Sequence, residues 1–380
     1  MVPRDPAQPH RVASSLELFF DLVFVVAVSA TAGQLHHALS HGEFAHGIIS
    51  FSMLFFAIWW AWMNFTWFAT SFDTDDWLYR VTTIVQMGGV LVLAAGVQQA
   101  FEGDFTLPVI GYIVMRFAMI FQWLRATRSA GDPVRKATIR YAIGIGFAQV
   151  LWILFLLIPE GPLQLVAFVA FAIVEVLVPV FAELRQQTPW HAHHITERYS
   201  LFTLIVLGES LLASANAIIG ALGDADHGEA GSIAPLILMA VLALVVTAAL
   251  WWIYFWPPHH RAITTFGRSL RYGYTHYFIF AAAAAFSAGV EVEIDLITHE
   301  SHISQIQASL TVSIPIALFL LGIWFVAIRE NADRVVNAVV PLGALIVLVD
   351  AFIPLSVVIT ASVMVLIVVV LVLRPPVQRS

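Results

Sequence analysis

Apolar runs of roughly 20 residues recur from one end of this chain to the other, each long enough to cross a hydrocarbon core of about 30 Å as a helix. That repetition assigns an integral membrane protein of many helices, and composition agrees. Of 380 residues, 60% are hydrophobic and only 11% are charged. A soluble domain carries about 25% charged residues, so the charge present is too sparse to coat a water-facing surface. The absence of cysteine removes disulfide scaffolds, thiol catalysis and cysteine-ligated metal sites together. A formal charge of -7 argues against a nucleic-acid partner. The expected fold class is all-α, a polytopic integral membrane helical bundle.

About twelve spans can be read from the runs. They lie near 16–35, 44–70, 78–101, 105–124, 137–158, 162–183, 197–221, 233–256, 270–292, 304–328, 333–350 and 354–373. The last two are separated by a tight turn around Asp350 and Pro354, so eleven remains open. The first run contains Glu17 and Asp21, unlike a secretory signal, and is read as a retained span. Lys and Arg concentrate in alternate connections: Arg80, then Arg125, Arg128, Arg135 and Lys136, then Arg185 and Arg198, then Arg261, Arg268 and Arg271, then Arg329 and Arg334. Arg4, Arg11, Arg374 and Arg379 in the termini belong to the same side. The other connections hold Glu43, Glu102, Asp104, Glu160, Asp224, Asp226, Glu229, Glu293, Asp295 and Glu300, with no Lys or Arg. The positive-inside rule then predicts both termini in the cytoplasm.

The spans divide into a cytoplasmic tail (1–15), a first six-helix half (16–190), a second six-helix half (191–373) and a second cytoplasmic tail (374–380). A thin internal repeat supports the division: Leu18-Phe19-Phe20 matches Leu201-Phe202-Thr203, and Trp59-Trp60 matches Trp251-Trp252. An even number of spans per half makes the repeat parallel. Trp67, Trp251, Trp252 and Trp256 fall near predicted cytoplasmic interfaces, which suit the amphipathic indole. Trp59, Trp60 and Trp62 sit deeper and either pack the bundle or line a cavity.

Ionisable groups within spans are costly and mark candidate sites. Glu17 and Asp21 lie four apart, on one face of the first span, where they either act together or cap a solvated helix start. Twelve residues beyond Glu197, Glu209 stands about 18 Å into span seven, near the midplane. Glu175 and Arg116 sit at similar depth, so Arg116 has two acids, Glu175 and Glu209, to choose between. The acid left over must hold a proton, or face water or a cation. Near the cytoplasmic edge Asp73, Asp75 and Asp76 either meet Arg80 or Arg198 or cap span three. His191, His193, His194, Glu197 and Arg198 precede span seven. His194 and Glu197 have i,i+3 metal-ligand spacing but no second ligand pair, so the alternative is interfacial histidines. His36, His37, His41 and His46 are expected on the outer side, as pH sensors or as idle loop residues.

No P-loop, H-E-x-x-H, G-x-S-x-G or strand-borne G-x-G-x-x-G occurs, so ATP-driven transport and standard hydrolysis have no support, and no cofactor is implied. The segments Leu16-Glu17-Leu18-Phe19-Phe20-Asp21-Leu22-Val23-Phe24-Val25, Trp59-Trp60-Ala61-Trp62, Phe65-Thr66-Trp67 and Phe72-Asp73-Thr74-Asp75-Asp76 carry a resemblance. So do His194-Ile195-Thr196-Glu197-Arg198-Tyr199-Ser200-Leu201-Phe202-Thr203 and Ile205-Val206-Leu207-Gly208-Glu209-Ser210. Together they resemble the bacterial low temperature requirement A (LtrA) family across nearly the whole chain. The resemblance implies a multi-spanning bacterial inner-membrane protein; the family's name records a cold-growth phenotype rather than a reaction. A second resemblance is to the lysosomal and prokaryotic potassium-channel family, twelve helices in two repeats, each opening on R-x-x-x-F-S-D. Phe19-Phe20-Asp21 is similar to F-S-D and Arg198-x-x-x-Phe202-Thr203 to R-x-x-x-F-S. Ser15 stands where the first Arg would be and Leu204 where the second Asp would be. That resemblance implies architecture more than potassium selectivity, and implies a pairing of Arg198 with Asp21.

The expected function is a transporter or channel moving protons, cations or a small solute between the halves. Glu17, Asp21, Asp73, Asp76, Arg198 and Glu209 would line its cytoplasmic approach, and Glu209 would be the protonatable midplane group. Two alternatives stand beside it. One is an intramembrane enzyme or lipid- or cofactor-binding protein with an acid–histidine–arginine site at the cytoplasmic leaflet. The other is a structural cold-adaptation protein without flux. The expected partners are the lipid bilayer and a small ion or solute, with a homodimer left open.

Overall fold

The computed structural model describes residues 1–5, 12–226 and 233–377. Arg11, Glu229 and Arg379, and the side chains of Asp73, Asp224 and Asp226, lie outside the described residues. The chain is all-α, as its apolar runs require. In order, the helices are α1 (Ser15–Ser40), α2 (Phe44–Ser71), α3 (Trp77–Ala95), the short α4 (Val97–Phe101), α5 (Thr106–Thr127), α6 (Asp132–Phe155) and α7 (Pro162–Glu183). They continue with α8 (Ala192–Asp226), α9 (Ala234–Phe255), α10 (Phe266–Thr298) and α11 (Gln305–Ile323). A wide π turn at Trp324–Ile328 leads into the short α12 (Arg329–Asn331), followed by α13 (Arg334–Asp350) and α14 (Ser356–Leu373). A single 3-10 turn covers His259–Ala262, and Val2–Pro3 (β1) pairs antiparallel with Phe72–Asp73 (β2).

Eleven helices among the described residues are long and apolar enough to cross a membrane. The expected eleventh span corresponds to α13, whose 17 residues lead into a tight turn before α14, with Leu355 in the left-handed region at φ 65°. Local chemistry explains many boundaries. Ser304 and Gln307 form a capping box at the start of α11, and the Asp76, Thr265 and Asp333 side chains cap α3, α10 and α13. Proline begins α6, α7 and α9, where its missing N–H costs nothing.

Three boundaries correct the sequence expectation. The run 78–101 is broken at Gly96, where a Cβ would come within 2.4 Å of Pro108 and 2.5 Å of Leu107. α10 extends to Thr298, so Glu293 and Asp295 are helical residues rather than parts of an outer connection. α1 extends to Ser40 and takes His36 and His37 out of the expected loop. Apolar periodicity does not mark these ends, because the polar residues there continue the backbone hydrogen bonding.

The outward surface inverts that of a soluble protein. On α7, Leu165, Val169, Ile173 and Leu177 form an exposed i,i+4 stripe, while Phe168, Glu175, Val178 and Ala182 are buried behind it. Such a stripe is an aggregation liability in water and a lipid-facing surface in a bilayer. The protein is a multi-pass membrane protein.

The chain forms two compact units, residues 1–31 with 49–199 and residues 32–48 with 200–380. In the first, α3, α5, α6 and α7 pack in succession. The α3–α5 contact is backbone-close: a Cβ on Gly89 would meet the Gly111 carbonyl oxygen at 2.7 Å. Phe20 stacks on Phe65 with ring centroids 3.9 Å apart, and Trp123 on Tyr141 at 4.1 Å. In the second unit α10 packs on α11, α11 on α13, and α14 on both α9 and α13.

Candidate functional site

The first unit gathers a cluster of buried polar side chains around the start of α1. Ser14 and Glu17 cap that helix reciprocally: Ser14 N donates to Glu17 Oε2 at 2.7 Å and Glu17 N to Ser14 Oγ at 3.3 Å. The four-residue spacing then stacks Glu17 and Asp21 on one buried face, 5% and 0% exposed. α8 presents a matching pair, because His194 and Arg198 are also four apart and both are 0% exposed.

Arg198 binds Asp21 with two nitrogens, Nη2 to Oδ1 at 2.5 Å and Nε to Oδ2 at 3.1 Å. This bidentate geometry suits guanidinium and carboxylate. Trp62 of α2 donates its indole N–H to Asp21 Oδ1 at 2.7 Å. Glu17 Oε1 stands 3.3 Å from Arg198 Nη1 and 3.2 Å from His194 Nε2, close ionic contacts. The Arg198 guanidinium also lies 5.9 Å from the Phe65 ring centre. Two carboxylates therefore share one guanidinium and one imidazole in a buried pocket. Glu197 turns elsewhere: its Oε1 accepts from Ala13 N at 3.4 Å. His194 and Glu197, adjacent at metal-ligand spacing, thus serve separate partners.

A second buried centre surrounds Glu175 of α7. Arg116 Nη2 donates to its Oε2 at 3.0 Å and Trp60 Nε1 to the same oxygen at 2.8 Å. Tyr112 OH, Trp152 Nε1 and Gln149 Nε2 donate to Oε1 at 3.0, 3.2 and 3.3 Å. Five donors converge on one acceptor-only group, and both charged residues are 0% exposed. Arg116 thus takes Glu175, of the two acids the sequence offered. Glu209 is half-buried on α8, and the next residue, Ser210, shares a 2.8 Å hydroxyl contact with Thr247 of α9. Trp59, Trp60 and Trp62 are all at most 2% exposed, and Trp60 and Trp62 each hold a carboxylate.

The acidic segment before α3 is divided. Asp75 pairs with Arg80, Nη2 to Oδ2 at 2.7 Å. Asp76 accepts from Tyr79 N at 2.9 Å and pairs with Arg125, a partner absent from the sequence reading, while Arg198 goes to α1. The Arg125 hydrogen bond holds the Asp76 carboxyl well below the usual carboxylate range, and Arg80 lowers Asp75. Asp73 contributes its backbone to the pairing with Val2.

In the second unit sequence reasoning missed a buried histidine–tyrosine cluster, and it left Glu293 and His36 in outer connections. His259 Nδ1 meets Tyr272 OH at 2.9 Å and its Nε2 meets the Tyr254 carbonyl at 2.6 Å. Tyr254 OH meets His276 Nε2 at 3.0 Å. Burial pushes His259, which lies in the turn after α9, down to about 4. Glu293 accepts from Ser309 and Gln305, each at 3.2 Å, and Asp350 from Thr360 at 2.8 Å. Finally, His36 stands between Glu291, 2.8 Å away, and Asp295, 2.7 Å away. A search of spans for acids and Arg alone passes over His276 and Tyr254; the i,i+4 spacing of Tyr272 and His276 was the available signal.

Both buried centres of the first unit lie within a stretch that known proteins share. The family model described as bacterial low temperature requirement A protein (LtrA) matches residues 12–373. An uncharacterized protein of Rhizobium meliloti (strain 1021) is 32% identical over 260 residues, 66% of this chain. The chain spans 60% of that relative's length. With a family match running from before α1 to the end of α14, this chain belongs to the bacterial low temperature requirement A (LtrA) family.

Proposed function

We propose that the protein is a membrane transporter or channel for protons, cations or a small solute, with Glu17, Asp21, His194 and Arg198 as its ion-binding centre. The observation that carries this reading is charge balance. Among the described residues two carboxylates face one guanidinium, and all three side chains are at most 6% exposed. A net charge of about −1 in so dry a place is expensive. A proton on His194, 3.2 Å from Glu17, restores neutrality. So does a monovalent cation bound in its place, and exchange between the two occupants is the elementary act of proton-coupled movement.

The rest of the organisation belongs to the same proposal. Asp73, Asp75, Asp76 and Glu197 stand at the cytoplasmic approach, Glu209 is the protonatable group deeper in the membrane, and the halves 16–190 and 191–373 form the two repeats. Alternating Lys and Arg in the connections support cytoplasmic termini in a bacterial inner membrane. Phe19-Phe20-Asp21 and the Arg198–Asp21 pair support the channel-like architecture. The test is flux: purified protein in liposomes with an internal pH- or cation-sensitive dye is expected to carry H+, Na+ or K+ down an imposed gradient. Glu209→Gln is expected to slow that flux about tenfold, a barrier change of about 1.4 kcal/mol. Absence of flux for every one of these ions across pH 5.5 to 8 contradicts the proposal.

A further inference from the structure

Several side chains in the first unit are almost wholly buried and yet carry polar atoms that no described residue bonds; outside the Glu17–Arg198 centre, five of them are at most 1% exposed. They are Thr66 Oγ1 on α2, Gln86 Nε2 on α3, Arg116 Nε and Nη1 and Gln122 Oε1 on α5, and Gln149 Oε1 on α6. Buried polar atoms in folded proteins almost always have partners, and where protein supplies none, water does.

Helix register brings two of these residues level. The Gln122 amide donates to the Tyr79 carbonyl at 3.5 Å, and Gly89 lies against Gly111, so α3 and α5 run antiparallel between two fixed points. Midway, Gln86 comes level with Arg116. Arg116 holds one oxygen of Glu175 and the Gln149 amide holds the other, so the free N–H groups of Arg116 and the free carbonyl of Gln149 flank one carboxylate. At the other end, Tyr79 N is held by Asp76, which pairs with Arg125 at the edge of the membrane-spanning segments.

The chemistry selects the occupant. Arg116 and Gln86 offer donors, Gln122 and Gln149 offer acceptors, and the Thr66 hydroxyl does both. Arg116 and Glu175 already cancel in charge, so an ion has no counter-charge waiting, and a fully apolar guest would leave every orphan unpaired. A small neutral molecule that both donates and accepts fits: water.

We infer that the first unit holds a seam of buried water between α3 and α5, running from the Arg116–Glu175 pair to the Asp76–Arg125 pair and open to the aqueous phase there. As a conduit for protons the seam rests on the transport function proposed above; its hydration does not. The two fail separately, because hydration is read without any flux.

The natural absence of cysteine supplies the test. Gln86→Cys, Gln122→Cys and Thr66→Cys each introduce a single thiol, and Val90→Cys, at a buried apolar position on α3, is the dry control. Liposomes containing each variant are exposed to Ag+ in nitrate buffer, a small water-borne cation that reacts with thiolate, then denatured and labelled with a maleimide to count surviving thiols. Thr66→Cys, close to isosteric, is the variant that keeps the test alive should either glutamine substitution prevent folding. The seam requires thiols at 66, 86 or 122 to be consumed at least tenfold faster than at 90. Equal rates at all four positions, in variants that elute as the native protein does, overturn it.

Discussion

Inside a membrane, the consequence of removing one charged side chain depends on what it leaves behind. Arg116 and Glu175 are each wholly buried, and Glu175 is held by five donors. Arg116→Met strands a carboxylate and Glu175→Gln strands a guanidinium, and each single change is expected to cost about 3–5 kcal/mol. The double variant Arg116→Met with Glu175→Leu is expected to cost less than either single one, as read by thermal unfolding in detergent. Additive losses would show that the pair is not a coupled unit.

His259 gives a pH dependence of opposite origin. Burial holds it near 4 when folded, against 6.5 for a free ring, so the folded protein keeps it neutral and the unfolded chain protonates it first. Its contribution to stability is full above pH 6.5, declines as pH falls toward 4 and is flat below that, amounting to at most about 3 kcal/mol. Melting temperature measured between pH 8 and 4 should show this decline in the wild type and a shallower one in His259→Gln. Equal slopes would remove His259 as its cause. At this scale the sequence was partly legible. The spacing of Glu17 with Asp21 and the Arg198–Asp21 partnership could be read, because i,i+4 geometry and a motif both point to them. The Arg125–Asp76 pair could not, since it joins α5 to the start of α3 across a tertiary contact that no local spacing encodes.

The elements are set by where backbones can approach as well as by apolar length. α3 and α5 meet at Gly89 and Gly111, where a Cβ on Gly89 would come within 2.7 Å of a carbonyl oxygen and 2.8 Å of Met115 Cγ. Neighbouring Gly88 has nothing within 4 Å. Gly89→Ala is therefore expected to force the helices apart at a cost of about 1–3 kcal/mol. Gly88→Ala is expected to be neutral or stabilising by up to about 1 kcal/mol, since alanine is the better helix former. Comparing the two melting temperatures isolates the close approach, and equal effects would deny it. Apolar periodicity located the long helices and fixed both ends of α7, but not the far ends of α1 and α10. α1 and α10 run on through His36, His37, Glu293 and Asp295, because those side chains find partners in the fold and the helix need not stop where hydrophobicity does. Glu293 was for the same reason assigned to a connection, although it is 4% exposed.

For the whole molecule, the recurring apolar runs dictated an all-helical membrane protein, and 11% charge, too little to cover a soluble surface of this size, agreed. The scarcity of charge also made the interior searchable: most Lys and Arg lie near the ends of the spans or beyond them, and among the charged groups within spans Glu17, Asp21, His194 and Arg198 assemble into one centre and Arg116 and Glu175 into another. Which acid would take Arg116 depended on packing among α2, α5, α6 and α7, and so lay beyond the sequence. The central claim is that the first of these centres exchanges a proton on His194 for a cation. Flux in liposomes, measured from pH 5.5 to 8 for the wild type and for His194→Gln, tests it most directly. The expected result is a pH-dependent wild-type flux and a variant at least tenfold slower whose residual rate no longer varies with pH. A variant that keeps the wild-type rate and pH profile would contradict it.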